Sequence, residues 1–287
     1  MGVKLEISRE LSKVKLMRTD SKIYGELTFN FDNLIEKMGP QISLTRYIDP
    51  KPIDNSEHVQ FYPFISNDLQ ESFKSSVNYF MDLFKCGVKS VHFDLTNIHE
   101  SRRRSLLDYD TIDTLILKGN ESIETDELKK IFENVTVKHN LRLDIPIESG
   151  FQCDSAHFQM ERIIVRHHHW VTRDFLFDLK ASTIIFECCD TSKINARDFM
   201  EFVDRWYHSN DQEFKYLIIG WNEHPGAVDL EKYNPVEWDE ERRNGDYVFA
   251  PGKNINLERD QDIQRPDGRW ATIATRTNSQ QERIIIY

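Results

Sequence analysis

Few residues in the chain have the type and spacing to carry chemistry. Trp221-Asn222-Glu223-His224 follows an apolar run. A carboxylic acid at the end of a buried strand suits retaining glycoside hydrolysis, with Glu223 as the acid/base. That reaction needs a second carboxylate on a later strand, about 5 to 5.5 Å away, as nucleophile. The residues after Glu223 read as hairpins and leave no place for it, so Asn222 reads as the closing residue of a strand. His167-His168-His169 invites a metal, but neighbours on a strand alternate faces and cannot converge on one ion. With no HExxH and no second Cys/His group, a polar cluster at a strand end is the expected role. Cys188 and Cys189 lack a convergent base or a second ligand pair. Arg102-Arg103-Arg104 reads as a solvated loop or as a docking point for an acidic partner. GxGxxG, P-loop and GxSxG motifs are all missing from the sequence. The expectation is a non-enzymatic chain with no cofactor and no metal.

Composition narrows the partners. The 287 residues, 39% hydrophobic and 30% charged, suffice for a buried core and exclude a disordered chain. A formal charge of -11 repels phosphate backbones and anionic lipid, which argues against nucleic-acid and membrane-surface partners. Apolar runs are too short for a membrane-spanning helix. Cys86, Cys153, Cys188 and Cys189 form no CxxC pair, and the first sixteen residues read as strand-like and charged, unlike a secretory segment. All four cysteines are expected to be reduced and the protein intracellular. The glycosylation patterns at Asn120 and Asn134 are then chance matches.

What must position these side chains is a repeated strand frame. Phe214, Leu217, Ile219 and Asn222 follow the L-x-x-L-x-L-x-x-N/C pattern of a leucine-rich repeat strand. Ile112, Leu115, Leu117 and Asn120 fit it too, as do Ala181, Ile184, Phe186 and Cys189. Val88, Val91, Phe93, Thr96 and Met160, Ile163, Val165, His168 carry a different polar closer, and Lys138, Leu141, Leu143, Pro146 is an imperfect copy. Frame starts roughly 21 to 33 residues apart suit stacked strand-plus-connection units.

Around the frames, residues 1–50 alternate in polarity, with Val3, Leu5, Ile7, then Val14, Leu16, then Leu27, Phe29, Phe31, which predicts an antiparallel ribbon or small sheet. Residues 50–63 read as a loop. Leu69, Phe73, Val77, Phe80 and Phe84 predict a helix over 67–86. A second helix begins at the cap Asn195, with Asp198 in its first turn and Phe199, Phe202, Val203 and Trp206 on one face. Strands alternating with helices over 67–222 imply parallel strands with crossover connections. Residues 225–244 read as a polar loop with at most a short helix. Strands at 247–249, 255–257, 263–265, 270–276 and 283–287 then make an antiparallel meander, with Pro266-Asp267-Gly268 as a turn.

If Leu217 and Ile219 point inward, strand alternation turns Tyr216 and Ile218 to an open face. Equivalent positions are His92 and Asp94, Ile116 and Lys118, Arg142 and Asp144, Ile164 and Arg166, Ile185 and Glu187. Mixing isoleucine, tyrosine and charge, this row is the candidate partner-binding face, unless a neighbouring element covers part of it.

Four segments, 79–91 (YFMDLFKCGVKSV), 195–206 (NARDFMEFVDRW), 214–219 (FKYLII) and 263–273 (IQRPDGRWATI), together resemble the type 2 F-box associated domain, a family expanded in nematodes. Their order and spacing fit as well, and the resemblance covers nearly the whole chain. It implies a domain that follows an F-box, the motif docking the Skp-type adaptor of a cullin-RING ubiquitin ligase, and that recruits the ligase's protein substrate. It offers no catalytic residues. The chain shows no Leu-Pro-initiated helical motif before Val3, so adaptor docking is expected only where the full-length protein carries an F-box. The alternative is an F-box-less decoy or antidote that binds a partner without delivering it; glycoside hydrolysis through Glu223 is the remote one. The expected fold is α/β: an irregular leucine-rich-repeat-like solenoid over 67–224, an N-terminal β ribbon over 1–66 and a C-terminal antiparallel β meander cap over 225–287, forming one continuous F-box associated domain.

Overall fold

A computed structural model describes residues 2–7, 11–17, 23–30, 41–48, 51–52, 77–78, 81–82, 85–96, 109–187, 192–221, 229–242, 245–250, 253–278 and 281–286. The chain forms two compact units, residues 1–148 and 149–287, each α/β.

In the first unit, β1 (Gly2–Ile7), β2 (Leu11–Met17), β3 (Ile23–Asn30), β4 (Gln41–Ile48) and the two-residue β5 (Lys51–Pro52) form an antiparallel meander. Its register sets Leu5, Val14, Leu27 and Leu44 opposite one another, the outcome of the period-two pattern. The ribbon is not a separate element, however. β1 pairs in parallel with β6 (Val88–Asp94), so the expected ribbon is continuous with the frame strands. The reason is burial: Leu5 is fully enclosed opposite Val91, which a free-standing ribbon would leave half exposed.

Beyond β6 come β7 (Thr111–Lys118) and β8 (Thr136–Asp144), both parallel to it. The apolar frame positions align across all three strands, Val91 with Leu115 and Leu141, and Phe93 with Leu117 and Leu143, and all six are buried. One frame slips. Ile112 pairs with Val137, and an extra residue in β8 then restores register at Asn140, so buried Val137 takes the place expected for exposed Lys138. The closing positions share no common role: Thr96 and Pro146 are half-buried and Asn120 is exposed.

Between β7 and β8, α1 (Thr125–Asn134) buries Leu128, Ile131 and Phe132 at helical spacing. Glu148 caps its start, accepting from both the Thr125 N–H and hydroxyl at 3.1 Å. Of the helix expected over 67–86, Val77, Asn78, Met81 and Asp82 are helical, with Val77 fully buried, whereas Lys85 and Cys86 are not, Lys85 turning at φ 48°; Leu69, Phe73, Phe80 and Phe84 lie outside the described residues.

In the second unit, β9 (Arg162–Val165), β10 (Thr183–Phe186) and β11 (Tyr216–Trp221) are parallel. Ile163, Ile184 and Leu217 align, as do Val165, Phe186 and Ile219, all buried. The short α2 (Arg173–Asp178) follows β9, capped by the Thr172 hydroxyl accepting from the Phe175 N–H. α3 (Ala196–Tyr207) follows β10. It starts at a capping box: the Asn195 side chain accepts from the Arg197 and Asp198 N–H groups, and Asp198 accepts from the Asn195 N–H. Phe199, Val203 and Trp206 are its buried face.

The C-terminal strands are β12 (Val236–Glu237), β13 (Asp246–Ala250), β14 (Lys253–Asn256), β15 (Gln261–Gln264), β16 (Trp270–Asn278) and β17 (Gln281–Ile286). β12, β15, β16 and β17 pair antiparallel in that order, and β17 pairs antiparallel with β11, extending the edge of the parallel strands. β13 and β14 form a two-stranded ribbon apart from this meander. The turn into β16 is as expected: Gly268 adopts φ 93°, and its N–H donates to Arg265 O at 2.9 Å.

Candidate partner-binding face

In the first unit, register sets Glu6, His92, Ile116 and Arg142 side by side across β1, β6, β7 and β8. These positions alternate with the buried ones, so they occupy the opposite face from Val91, Leu115 and Leu141. His92, Ile116 and Arg142 are half-buried. Asp94, Lys118 and Asp144 make the next row, with Asp94 and Lys118 exposed and Asp144 half-buried. A third row is Ser90, Thr114 and Asn140, whose Nδ2 donates to Thr114 Oγ1 at 3.3 Å. Arg142 Nη2 donates to Asp144 Oδ2 at 3.3 Å, while the buried Arg142 Nε has no hydrogen-bond partner. This half-buried pair fixes where the guanidinium lies. The structure thus brings together six of the expected face residues, arranging charges of both signs around one half-buried isoleucine.

In the second unit the expectation of an open face is corrected. Ile185, Tyr216 and Ile218 are buried, forming one cluster with Leu257 and Ala274, and Ile164 packs partly buried against it. β17 lies against β11 and β16 against β17, so Ile164, Ile185, Ile218, Ile285 and Ala274 stand in a single row. Leu257, just after β14, is fully buried in the same cluster as Ile185, Ile218 and Ala274. The sequence does carry a sign of this: TIIF and YLIIGW are continuous apolar runs, characteristic of strands buried on both faces. Of the expected face residues in this unit, Arg166 is exposed, Ile164 and Glu187 are half-buried, and Ile185, Tyr216 and Ile218 are buried.

Other charged groups of this unit tie segments together. Buried Asp262 accepts from the Thr272 hydroxyl at 2.6 Å and from Arg242 at 3.2 Å, and the Arg242 guanidinium lies 4.5 Å over the Trp270 ring. Asp204 accepts from Lys232 at 2.6 Å and from the Tyr233 hydroxyl at 3.0 Å, which holds its carboxyl below the usual carboxylate range. Burial, the larger cause, together with Asp204 pushes the Tyr233 phenol up to about 12. Arg265, itself buried, hydrogen-bonds Asp267, which depresses the Asp267 carboxyl, and also reaches Asp211 O at 2.8 Å. No local sequence pattern signals these tethers, because each joins residues distant in the chain or depends on the geometry of a turn.

Of the sequence's chemical candidates, Trp221 donates its ring N–H to Ile194 O at 2.7 Å. Asn222, Glu223, His224, Cys188, Cys189, Arg102, Arg103 and Arg104 lie outside the described residues. The histidine triplet divides: His168 is fully buried, and His167 and His169 are half-buried. Among the described residues no three His, Cys, Asp or Glu side chains gather as a metal ion requires, and no helix is long and apolar enough to cross a membrane. Comparison of the chain with protein-family models, with curated proteins and with solved structures finds no match.

Proposed function

We propose that the chain is a non-enzymatic, intracellular protein-interaction module that presents the polar face of β6, β7 and β8 to a protein partner. The observation that supports this most is the aligned set His92, Ile116 and Arg142 beside Asp94, Lys118 and Asp144. A half-buried apolar residue within a polar rim is the anatomy of a protein-binding patch. On this reading the strand-and-connection units are leucine-rich-repeat-like, and the module resembles the substrate-recruiting part of an F-box ubiquitin-ligase receptor. Adaptor docking belongs to the full-length protein only if it carries an F-box.

Proximity labelling with the intact chain and with a variant carrying Ile116→Ala, Lys118→Ala and Arg142→Ala tests the face. The variant should lose the specific partners; recovery of the same set would rule this surface out. Partner abundance then separates the two roles: it falls if the chain delivers the partner to a ligase and rises if the chain acts as a decoy.

A further inference from the structure

His168 belongs neither to the partner face nor to the tethers. It lies just beyond β9, on the turn leading to α2, with its side chain completely buried. Its ring stacks on Phe186 of β10, with centroids 5.4 Å apart and 22° between planes. Neither ring nitrogen has a hydrogen-bond partner of normal geometry. A neutral imidazole tolerates such a site far better than an imidazolium, which would bury a charge and two donors. The same turn is closed by the Val171 N–H donating to His168 O at 2.9 Å, and by Trp170 packing edge-on against Phe151 at 4.9 Å and Phe175 at 5.1 Å.

We infer that His168 is a proton-operated latch: neutral, it holds the turn between β9 and α2 closed against Phe186, and protonated, it leaves the stack and the turn opens. The ionisable groups acting on it are His169 and His167 on its own turn, which oppose its protonation, and Glu187 after β10, whose main chain favours it. Burial is the largest effect and pushes the imidazole down to about 4 from its usual 6.5. The closed state therefore binds fewer protons than the open one, and its advantage is present above pH 6.5 and lost as pH falls toward 4. Those two values give about a 30-fold fall in the closed-to-open ratio between pH 8 and pH 5. Arg166 lies on this same segment, so opening repositions one residue of the expected partner face. The latch does not depend on whether that face binds anything.

Amide hydrogen exchange, corrected for the intrinsic effect of pH, tests this on the full chain. Protection of peptides spanning 165–171 should fall roughly 30-fold between pH 8 and pH 5 in the wild type and in His169→Gln. It should stay level in His168→Phe, which keeps an aromatic stack without a proton site. His168→Asn serves the same purpose should the phenylalanine variant fail to fold. Peptides from α3 should keep their protection throughout. Constant protection of 165–171 in the wild type, an unchanged decline in the His168 variants, or an equal loss in α3 would each overturn the latch.

Discussion

Replacing Ile218 by alanine separates a buried face from an open one by several-fold in energy. Ile218 is 2% exposed, stands in register between Ile185 and Ile285, and is buried in one cluster with Leu257. The substitution removes three carbons, worth about 2.4 kcal/mol at roughly 0.8 kcal/mol each. The unfilled volume adds a cavity cost, which brings the expected loss to about 3 to 4 kcal/mol. An isoleucine on an open sheet face would cost within about 0.5 kcal/mol. Urea denaturation followed by circular dichroism reads the difference as a lowered midpoint at unchanged slope. Leu257→Ala and the double variant complete a cycle whose coupling energy should be about 0.5 to 3 kcal/mol, since the two side chains belong to one buried cluster. A loss for Ile218→Ala under about 1 kcal/mol, or strict additivity with Leu257→Ala, would refute the reasoning that the C-terminal segment covers this face.

Asn195→Ala should cost about 1 kcal/mol in the same denaturation assay, because it strips the acceptor of two N–H groups at the start of α3. Arg242→Ala should cost roughly 2 to 3 kcal/mol, since it removes the guanidinium paired with the buried Asp262 carboxylate, and Arg242→Lys should recover only part of that because a compact ammonium does not reproduce the guanidinium's contact over the Trp270 ring. The Asp267 carboxyl is depressed in the folded state by Arg265, so its contribution is present above the unfolded value of 3.8 and disappears as pH falls below it. The gap in melting temperature between wild type and Asp267→Asn should accordingly narrow on acidification, and a gap that widens would contradict that assignment.

How much of the fold is legible in the sequence can be judged from individual residues. The frame residues Val91, Leu115, Leu141, Ile163, Ile184 and Leu217 all lie on parallel strands and face the core, because alternation and spacing are local properties written into each segment. Asn195 and Asp198 are readable for the same reason: a capping box is complete within four residues. α1 is harder to see although Leu128, Ile131 and Phe132 carry helical spacing, since four charges between 126 and 130 disguise a short amphipathic stretch as loop. Tyr216 and Ile218 read as an open face because alternation alone decides which side a residue faces, not what lies over that side. The residues buried with them, Leu257 and Ala274, come some forty to sixty positions later, and Ala274 is brought alongside by β17 pairing with β11 and β16 with β17, a long-range choice that no local pattern encodes. His168 illustrates a further limit: the sequence marks a polar cluster at a strand end, but burial and the stack on Phe186 depend on the neighbouring strand.

The central claim is that a protein partner binds across β6, β7 and β8, and calorimetric titration of a partner recovered by labelling tests it most directly. Ile116→Ala with Lys118→Glu should weaken binding at least about tenfold, roughly 1.4 kcal/mol, while leaving the unfolding midpoint nearly unchanged, because both positions are solvent-accessible on a sheet whose core lies on the other face. An affinity equal to wild type would contradict the account.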